Sequence, residues 1–351
     1  VDLTLDGKRV SLYGRSRQEV EQKRALRLAH HLERRLDPQT LTFKGWAERW
    51  LEDKQREVRP ASYEVYAGHM RRYLVPALGH FKLSEIRVPH INELLYSLPV
   101  APGTKKSVRS TLRTCLQDAV RAELILTNPA SLSRPPKATK RAAAVFSQQQ
   151  ARRFLDACEG HFMGLLLMTA VMTGMRQGEL IGLRWHNVSL SQPPAITVAE
   201  AMQRKRGGQP RHLGEPKTAQ SVRTVPIPSF LAERLRHEQR RQTAIRRADP
   251  DWNPDGFVFV TRNGKPFHDK EVYTQFSKLL ERYQLPKLRF HDLRHTAATL
   301  MVEMGTPIEV VSKILGHSTI RLTVDTYAHI SPVLMEQAAQ RMNTLVDTQE
   351  E

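Results

Sequence analysis

Residues 291–327 hold His291-Asp292-Leu293-Arg294-His295, then Leu315-Gly316-His317, then Tyr327. Arginine binds phosphate as a planar, permanently charged fork. Histidine moves protons near neutral pH. Tyrosine offers an oxygen that can attack and later leave. Together these types suit attack on a phosphodiester without a metal.

A fourth piece lies upstream, in Thr173-Gly174-Met175-Arg176-Gln177-Gly178-Glu179-Leu180. Phe162 to Thr173 is mostly apolar and predicts a central core helix. Gly174 can end it in the left-handed cap conformation. Arg176 then opens the next helix, where it can reach a phosphate beside free backbone N–H groups, and Glu179 can orient its guanidinium. Alone, this piece also reads as a surface salt bridge. His291 and Arg294 share one helix face at i, i+3 and can converge on one phosphate. A helix-capping histidine beside an ion-paired arginine is the plainer reading of that pair. His295 can equally pair with local backbone. Ile314-Leu315-Gly316 reads as a helix terminus leading into His317. A lone tyrosine such as Tyr327 is commonly a half-buried core residue.

Composition names the partner class. The 351 residues carry a formal net charge of +18, with a sequence pI of about 10.2. A charge of that size favours a polyanion, because bound Lys and Arg release the counterions condensed on DNA. The excess is +3 over residues 1–40, +9 over 41–145 and +6 over 146–351, so the middle segment is the most cationic for its length. Cys115 and Cys158 read as small core residues, and two cysteines support neither a disulfide framework nor a cysteine zinc site. There is no signal peptide pattern and no apolar run near 18 residues, so the expected location is cytoplasmic, with no membrane partner.

Three blocks must position the chemistry. Residues 1–37 open with two strand-like runs around Asp6-Gly7, a hairpin signal. Ser16-Arg17-Gln18-Glu19 then reads as a capping box starting a helix to about Leu36. This block is too small for a large core and reads as an appended module. Residues 42–132 predict an all-helical bundle. One helix carries Trp46 and Trp50, another starts at Pro60, and further stretches cover 89–97 and 103–124. Lys105, Lys106, Arg109 and Arg113 recur at one-turn spacing, a candidate phosphate-facing stripe or a solvated helix face. The chain breaks at Asn128-Pro129, and 133–145 reads as a basic linker with Pro135-Pro136, Lys140 and Arg141. Residues 146–351 predict a mainly helical domain. Ser147 caps its first helix, and strand-like pieces at Ala195–Val198, His212–Pro216 and Val222–Ile227 suggest one three-stranded antiparallel sheet. The predicted class is mainly α with small antiparallel sheets.

Taken together, over about 146–345, these pieces resemble the tyrosine recombinases of the phage-integrase family. The resemblance implies a catalytic set of Arg176, Lys217, His291, Arg294, His317 and Tyr327. Lys217 is taken from Glu215-Pro216-Lys217-Thr218, with Lys205 in Arg204-Lys205-Arg206 as the nearby alternative. It implies a core-binding role for 42–132 and an arm-site role for 1–37. It further implies strand cleavage and rejoining through a 3′-phosphotyrosyl bond, with no cofactor and no metal. The implied partners are double-stranded DNA at core-type and arm-type sites and three further copies of the chain in a tetramer. Accessory DNA-bending or directionality factors are also compatible, as is a bacterial or phage-encoded, nucleoid-associated setting. Three rivals stand beside this reading. They are a type IB topoisomerase, a catalytically silent DNA-binding regulator, and a metal-dependent nuclease using His291, His295 and His317.

Overall fold

The computed structural model describes residues 2–5, 8–11, 19–21, 23, 40–136, 144–203, 211–214 and 222–316. The chain divides into two compact units, Val1–Lys140 and Arg141–Glu351.

In the first unit the expected hairpin forms. Strand β1 (Asp2–Leu5) pairs antiparallel with β2 (Lys8–Ser11), with Leu5 opposite Lys8. The expected helix over 16–36 is described only at Glu19, Val20, Glu21 and Lys23, which are helical. The helical bundle begins with α1 (Phe43–Glu57), where Thr42 Oγ1 accepts the Gly45 N–H and caps the helix. Helix α2 (Pro60–His69) starts on proline, runs through a π-helical turn at Met70–Leu74, and continues as α3 (Val75–Leu78). Met70, Leu74 and Leu78 recur every fourth residue and all face the core. Helices α4 (Val88–Ser97), α5 (Pro102–Arg121) and α6 (Pro129–Leu132) complete the bundle.

The two tryptophans bind α1 to α5 by their polar edges. Trp46 Nε1 donates to the Cys115 carbonyl at 3.2 Å, and Trp50 Nε1 donates to Asp118 Oδ2 at 2.8 Å. A buried indole N–H needs such a partner, so these bonds fix the register of the two helices. Asn128 caps α6 through the Ala130 N–H, and α6 packs on α4 and α5. The break at Asn128-Pro129 is therefore a helix start inside the bundle. Cys115 is fully buried here, and burial holds its thiol well above the usual range.

The second unit opens with α7 (Gln148–Cys158). Ser147 Oγ accepts the Gln150 N–H while Gln150 Oε1 accepts the Ser147 N–H, the reciprocal cap expected from the sequence. Helix α8 (Gly164–Thr173) is apolar nearly all round, as a central helix must be. It packs against α7, against α10 (Ser229–Ala248) and against α12 (Asp292–Glu303). Its Thr169 and Thr173 hydroxyls donate back to carbonyls one turn earlier, which satisfies them in an apolar setting. Phe146, Phe154, Phe276 on α11 (Asp269–Arg282) and Phe290 form a run of tilted and edge-on rings at 5.3, 6.0 and 5.7 Å. Cys158 is buried, and burial pushes its thiol up to about 12.

The sheets differ from expectation. Strand β3 (Val188–Ser189), β4 (Ala195–Val198) and β7 (Arg223–Pro226) form the three-stranded antiparallel sheet, in that order. The expected third member, β6 (His212–Gly214), instead pairs with β5 (Ala201–Gln203) in a separate two-stranded ribbon. Strand β4 already has β3 on one edge and β7 on the other, so β6 takes its partner from β5. The short helices α9 (Gln177–Ile181) and α13 (Ile308–Leu315) complete the described part. Among the described residues, no helix is long and apolar enough to cross a membrane.

Candidate active site

The site is built on two helix ends. Helix α8 ends at Gly174, with φ +64°, and α13 ends at Gly316, with φ +65°. Both take the left-handed conformation that glycine adopts without steric penalty. Neither position has room for a side chain. A Cβ at Gly174 would lie 2.5 Å from Leu315 Cδ2, and one at Gly316 would lie 2.8 Å from Arg223 Cδ. Sharp, close-packed ends present carbonyl oxygens, and carbonyls at a helix C-terminus favour cations.

Two arginines take those carbonyls. Arg294, on the first turn of α12, is buried and donates from Nη1 to the Gly174 carbonyl at 2.8 Å and from Nη2 to the Leu315 carbonyl at 2.6 Å. It therefore bridges the ends of α8 and α13. Arg176 stands two residues beyond Gly174, at the N-cap of α9. Its Nη2 donates to the Gly316 carbonyl at 3.3 Å and its Nη1 to Glu179 Oε1 at 2.8 Å. Its side chain is 42% exposed, so it is held yet open to a ligand.

Glu179 is the counter-charge. Its Oε1 takes the Arg176 guanidinium, as the sequence suggested, and its Oε2 also accepts the Arg176 backbone N–H at 2.8 Å. A partner the sequence did not suggest is Arg223, on β7. Arg223 grips Glu179 with Nη1 and Nη2, at 3.1 and 2.8 Å, and donates from Nε to the Ile314 carbonyl at 2.6 Å. Burial pushes the Glu179 carboxyl up, but the bonds and charges of Arg223 and Arg176 outweigh it and hold it below the usual range. Arg223 was legible only as a lone arginine inside an otherwise alternating strand.

His291 opens α12, three residues before Arg294, and keeps an exposed edge. Its ring meets that of His295 edge-on at 5.4 Å. Desolvation lowers the pKa of His291 most, followed by the charges of His295, Arg294 and Arg176; Asp292 opposes them. His295 is likewise lowered, by burial first, with Asp292 opposing and Arg294 and Arg289 adding to the fall. Both rings are thus biased towards neutral imidazole, the form that accepts a proton. The helix itself is anchored by Asp292, which accepts from the Arg289 N–H at 2.8 Å and from its guanidinium at 3.1 and 2.8 Å.

So Arg176, His291 and Arg294, separated by 115 residues or more between Arg176 and the other two, meet around two helix ends. Lys217, His317 and Tyr327 lie outside the described residues, as do Lys205, Lys140 and Arg141. In the helical unit Lys106 and Arg113 are exposed. Lys105 donates to the Tyr96 carbonyl at 3.0 Å, and Arg109 donates to Ser133 Oγ at 2.8 Å and to the Ser131 carbonyl at 3.1 Å. Two members of that stripe therefore also brace their own bundle.

Comparison with known proteins fits this geometry. The model of the phage integrase family matches residues 144–332, more than half of the chain. The chain belongs to the phage integrase family. The model of the phage integrase N-terminal SAM-like domain matches residues 42–98. This integrase is 29% identical to a "Tyrosine recombinase XerC-like" of Caldanaerobacter subterraneus subsp. tengcongensis, over 96% of its own length and 92% of the relative's. It is 28% identical to an integrase of Streptomyces ambofaciens, over 76% of its length and 71% of the relative's. Its fold resembles that of the Tn1549 transposon integrase in complex with a circular intermediate DNA. There the TM-score is 0.71, with 19% identity, 85% of this chain and 99% of that chain covered. It also resembles a lambda integrase tetramer bound to a Holliday junction, with a TM-score of 0.60, 17% identity, and 91% and 89% covered. The integrase is a tyrosine-type site-specific recombinase, and that assignment favours DNA recombination over the topoisomerase and silent-regulator readings.

Proposed function

We propose that Arg176, Lys217, His291, Arg294, His317 and Tyr327 carry the strand transfer. Tyr327 Oη attacks the scissile phosphate while the bond from phosphorus to the 5′-oxygen breaks. The enzyme is left as a 3′-phosphotyrosyl ester, and Lys217 gives its proton to the departing 5′-oxygen. An unperturbed tyrosine has a pKa of about 10, so the phenol needs help. His291, biased towards its neutral form, assists removal of that proton. Arg176 and Arg294 bind the non-bridging oxygens and stabilise the charge that gathers there, and His317, next in sequence to Gly316, adds a hydrogen bond. The 5′-hydroxyl of a partner strand then attacks the phosphotyrosine and releases the enzyme. Phosphate-ester bond energy is conserved throughout.

One observation carries this reading. Arg176 and Arg294 are fixed on adjoining carbonyls of one helix end, at Gly316 and Leu315. Two guanidiniums held side by side on separate helices make a ready site for one phosphate.

The substrate is double-stranded DNA, bound at core-type sites by residues 42–132 and by the catalytic domain 146–351. Lys105, Lys106, Arg109, Arg113, Lys140 and Arg141 supply phosphate contacts. Residues 1–37 bind arm-type sites, 133–145 link the domains, and four copies act on synapsed duplexes. The tail from Ser331 docks on a neighbouring copy. Accessory DNA-bending or directionality factors set the bias between integration and excision of a mobile element in a bacterial nucleoid.

Arg176→Lys and Arg294→Lys test the site. Lysine keeps the charge and loses the fork. With a nicked duplex from the junction of the encoding element, covalent adduct formation should fall roughly 100- to 1,000-fold, with DNA affinity within a few-fold of wild type. Adduct formation at the wild-type rate in both variants would reject the assignment.

A further inference from the structure

Arg223 lies outside the catalytic set, yet it stands at the centre of the bonds that hold it. Its side chain is 6% exposed. Through Glu179 it reaches Arg176; through the Ile314 carbonyl it reaches the last turn of α13, whose Gly316 carbonyl accepts from Arg176 in turn. The result is a closed ring: Arg223 to Glu179, Glu179 to Arg176, Arg176 to the α13 end, and that end back to Arg223. The Gly316 backbone sits so close to the Arg223 stem that no Cβ fits between them.

We propose that Arg223 is a positioning residue for strand cleavage. Its two-pronged grip fixes the plane of the Glu179 carboxylate, so that this carboxylate aims the Arg176 guanidinium at the phosphate. Its bond to Ile314 holds the helix end from which His317 departs.

Three physical points support a role beyond folding. A buried ion pair adds little net stability over apolar residues of the same volume, so stability is a weak reason to build one. The geometry also exploits what only arginine supplies, two N–H donors on one carboxylate plus a third N–H on a carbonyl. Finally, a carboxylate gripped on one side by Arg223 can take Arg176 on the other without following it. A partly exposed guanidinium would otherwise swing with its partner, and misplacement of about 1 Å can cost about 100-fold in rate.

This inference rests on Arg176 binding the scissile phosphate, and its test separates the two claims. The probes are two nicked duplexes from the junction of the encoding element. One has a natural scissile phosphate, and the other carries a neutral methylphosphonate there. The full-length chain is used, and covalent adduct is timed under single-turnover conditions. Arg223→Lys should cut the adduct rate on the natural phosphate about 10- to 100-fold, as loss of a supporting residue does. DNA affinity should stay within about two-fold. On the methylphosphonate duplex, where less charge needs stabilising, the defect should shrink to a few-fold. Arg176→Ala should show the same dependence on substrate.

If Arg176→Ala shows it and Arg223→Lys loses equal rate on both duplexes, Arg223 is structural and the inference fails alone. If Arg176→Ala is also blind to the substrate, the phosphate-binding reading fails first. A folding defect is controlled by the neutral pair Glu179→Gln with Arg223→Met, which removes both buried charges. That variant should recover thermal stability relative to Arg223→Met alone but not the cleavage rate. Recovery of both would overturn the proposal.

Discussion

Glu179 takes hydrogen bonds from two arginines, Arg176 and Arg223, while Arg294 gives its own to backbone carbonyls. The cluster carries more positive than negative charge, an excess that the proposed phosphate would offset. Burial acts first on the histidines, and the positive charges around them add to it. His291 and His295 both lie below their ordinary value of 6.5. The sign of the consequence follows from linkage. Between the lowered folded values and 6.5 the unfolded chain binds more protons, so stability falls as pH drops through that window and is fully present above it. Thermal midpoints should therefore decline below about pH 6.5. His291→Gln combined with His295→Gln should flatten the decline, leaving the contribution of His161, which is also lowered. A decline as steep in the double variant would place the cause elsewhere. The Gly174 cap and the bond from Arg176 to Glu179 were legible from sequence because each acts within one or two helical turns. Arg223 was not, because its partner Glu179 lies 44 residues away and no periodicity links them.

Helix ends, more than helix faces, hold the two arginines. Gly174 and Gly316 let α8 and α13 stop abruptly, and their last carbonyls hold Arg294 and Arg176. Gly174→Ala must place a side chain at φ +64° against Leu315. The strain should lower stability by about 1–3 kcal/mol, and cleavage should fall by more than DNA binding does. Equal loss of both, or neither, would contradict the view that this end aims Arg294. Long elements were readable from sequence, including the Ser147 cap, the apolar α8 and the tryptophan helix α1. The short strands β3 and β5 were not. Runs of two and three residues carry no alternation to detect, and only pairing in the fold defines them. That is also why His212–Gly214 was assigned to the wrong sheet.

For the molecule as a whole, the net charge of +18 makes DNA binding a counterion-release process. Affinity should drop steeply with salt. Lys106→Ala and Arg113→Ala, both exposed on α5, should each reduce the slope of log affinity against log salt by about 1 with no change in thermal stability. An unchanged slope would make that face a solvated one. Family membership was legible in the order and spacing of the C-terminal motifs. The most direct test of the account uses a nicked duplex from the junction of the encoding element, incubated with the wild-type chain in EDTA. The covalent adduct is then digested and its peptide mapped. The account predicts one DNA-linked peptide, joined through Tyr327 to a 3′-phosphate, and no adduct from Tyr327→Phe. A 5′-linkage, a different linked residue, or an adduct that persists in Tyr327→Phe would contradict it.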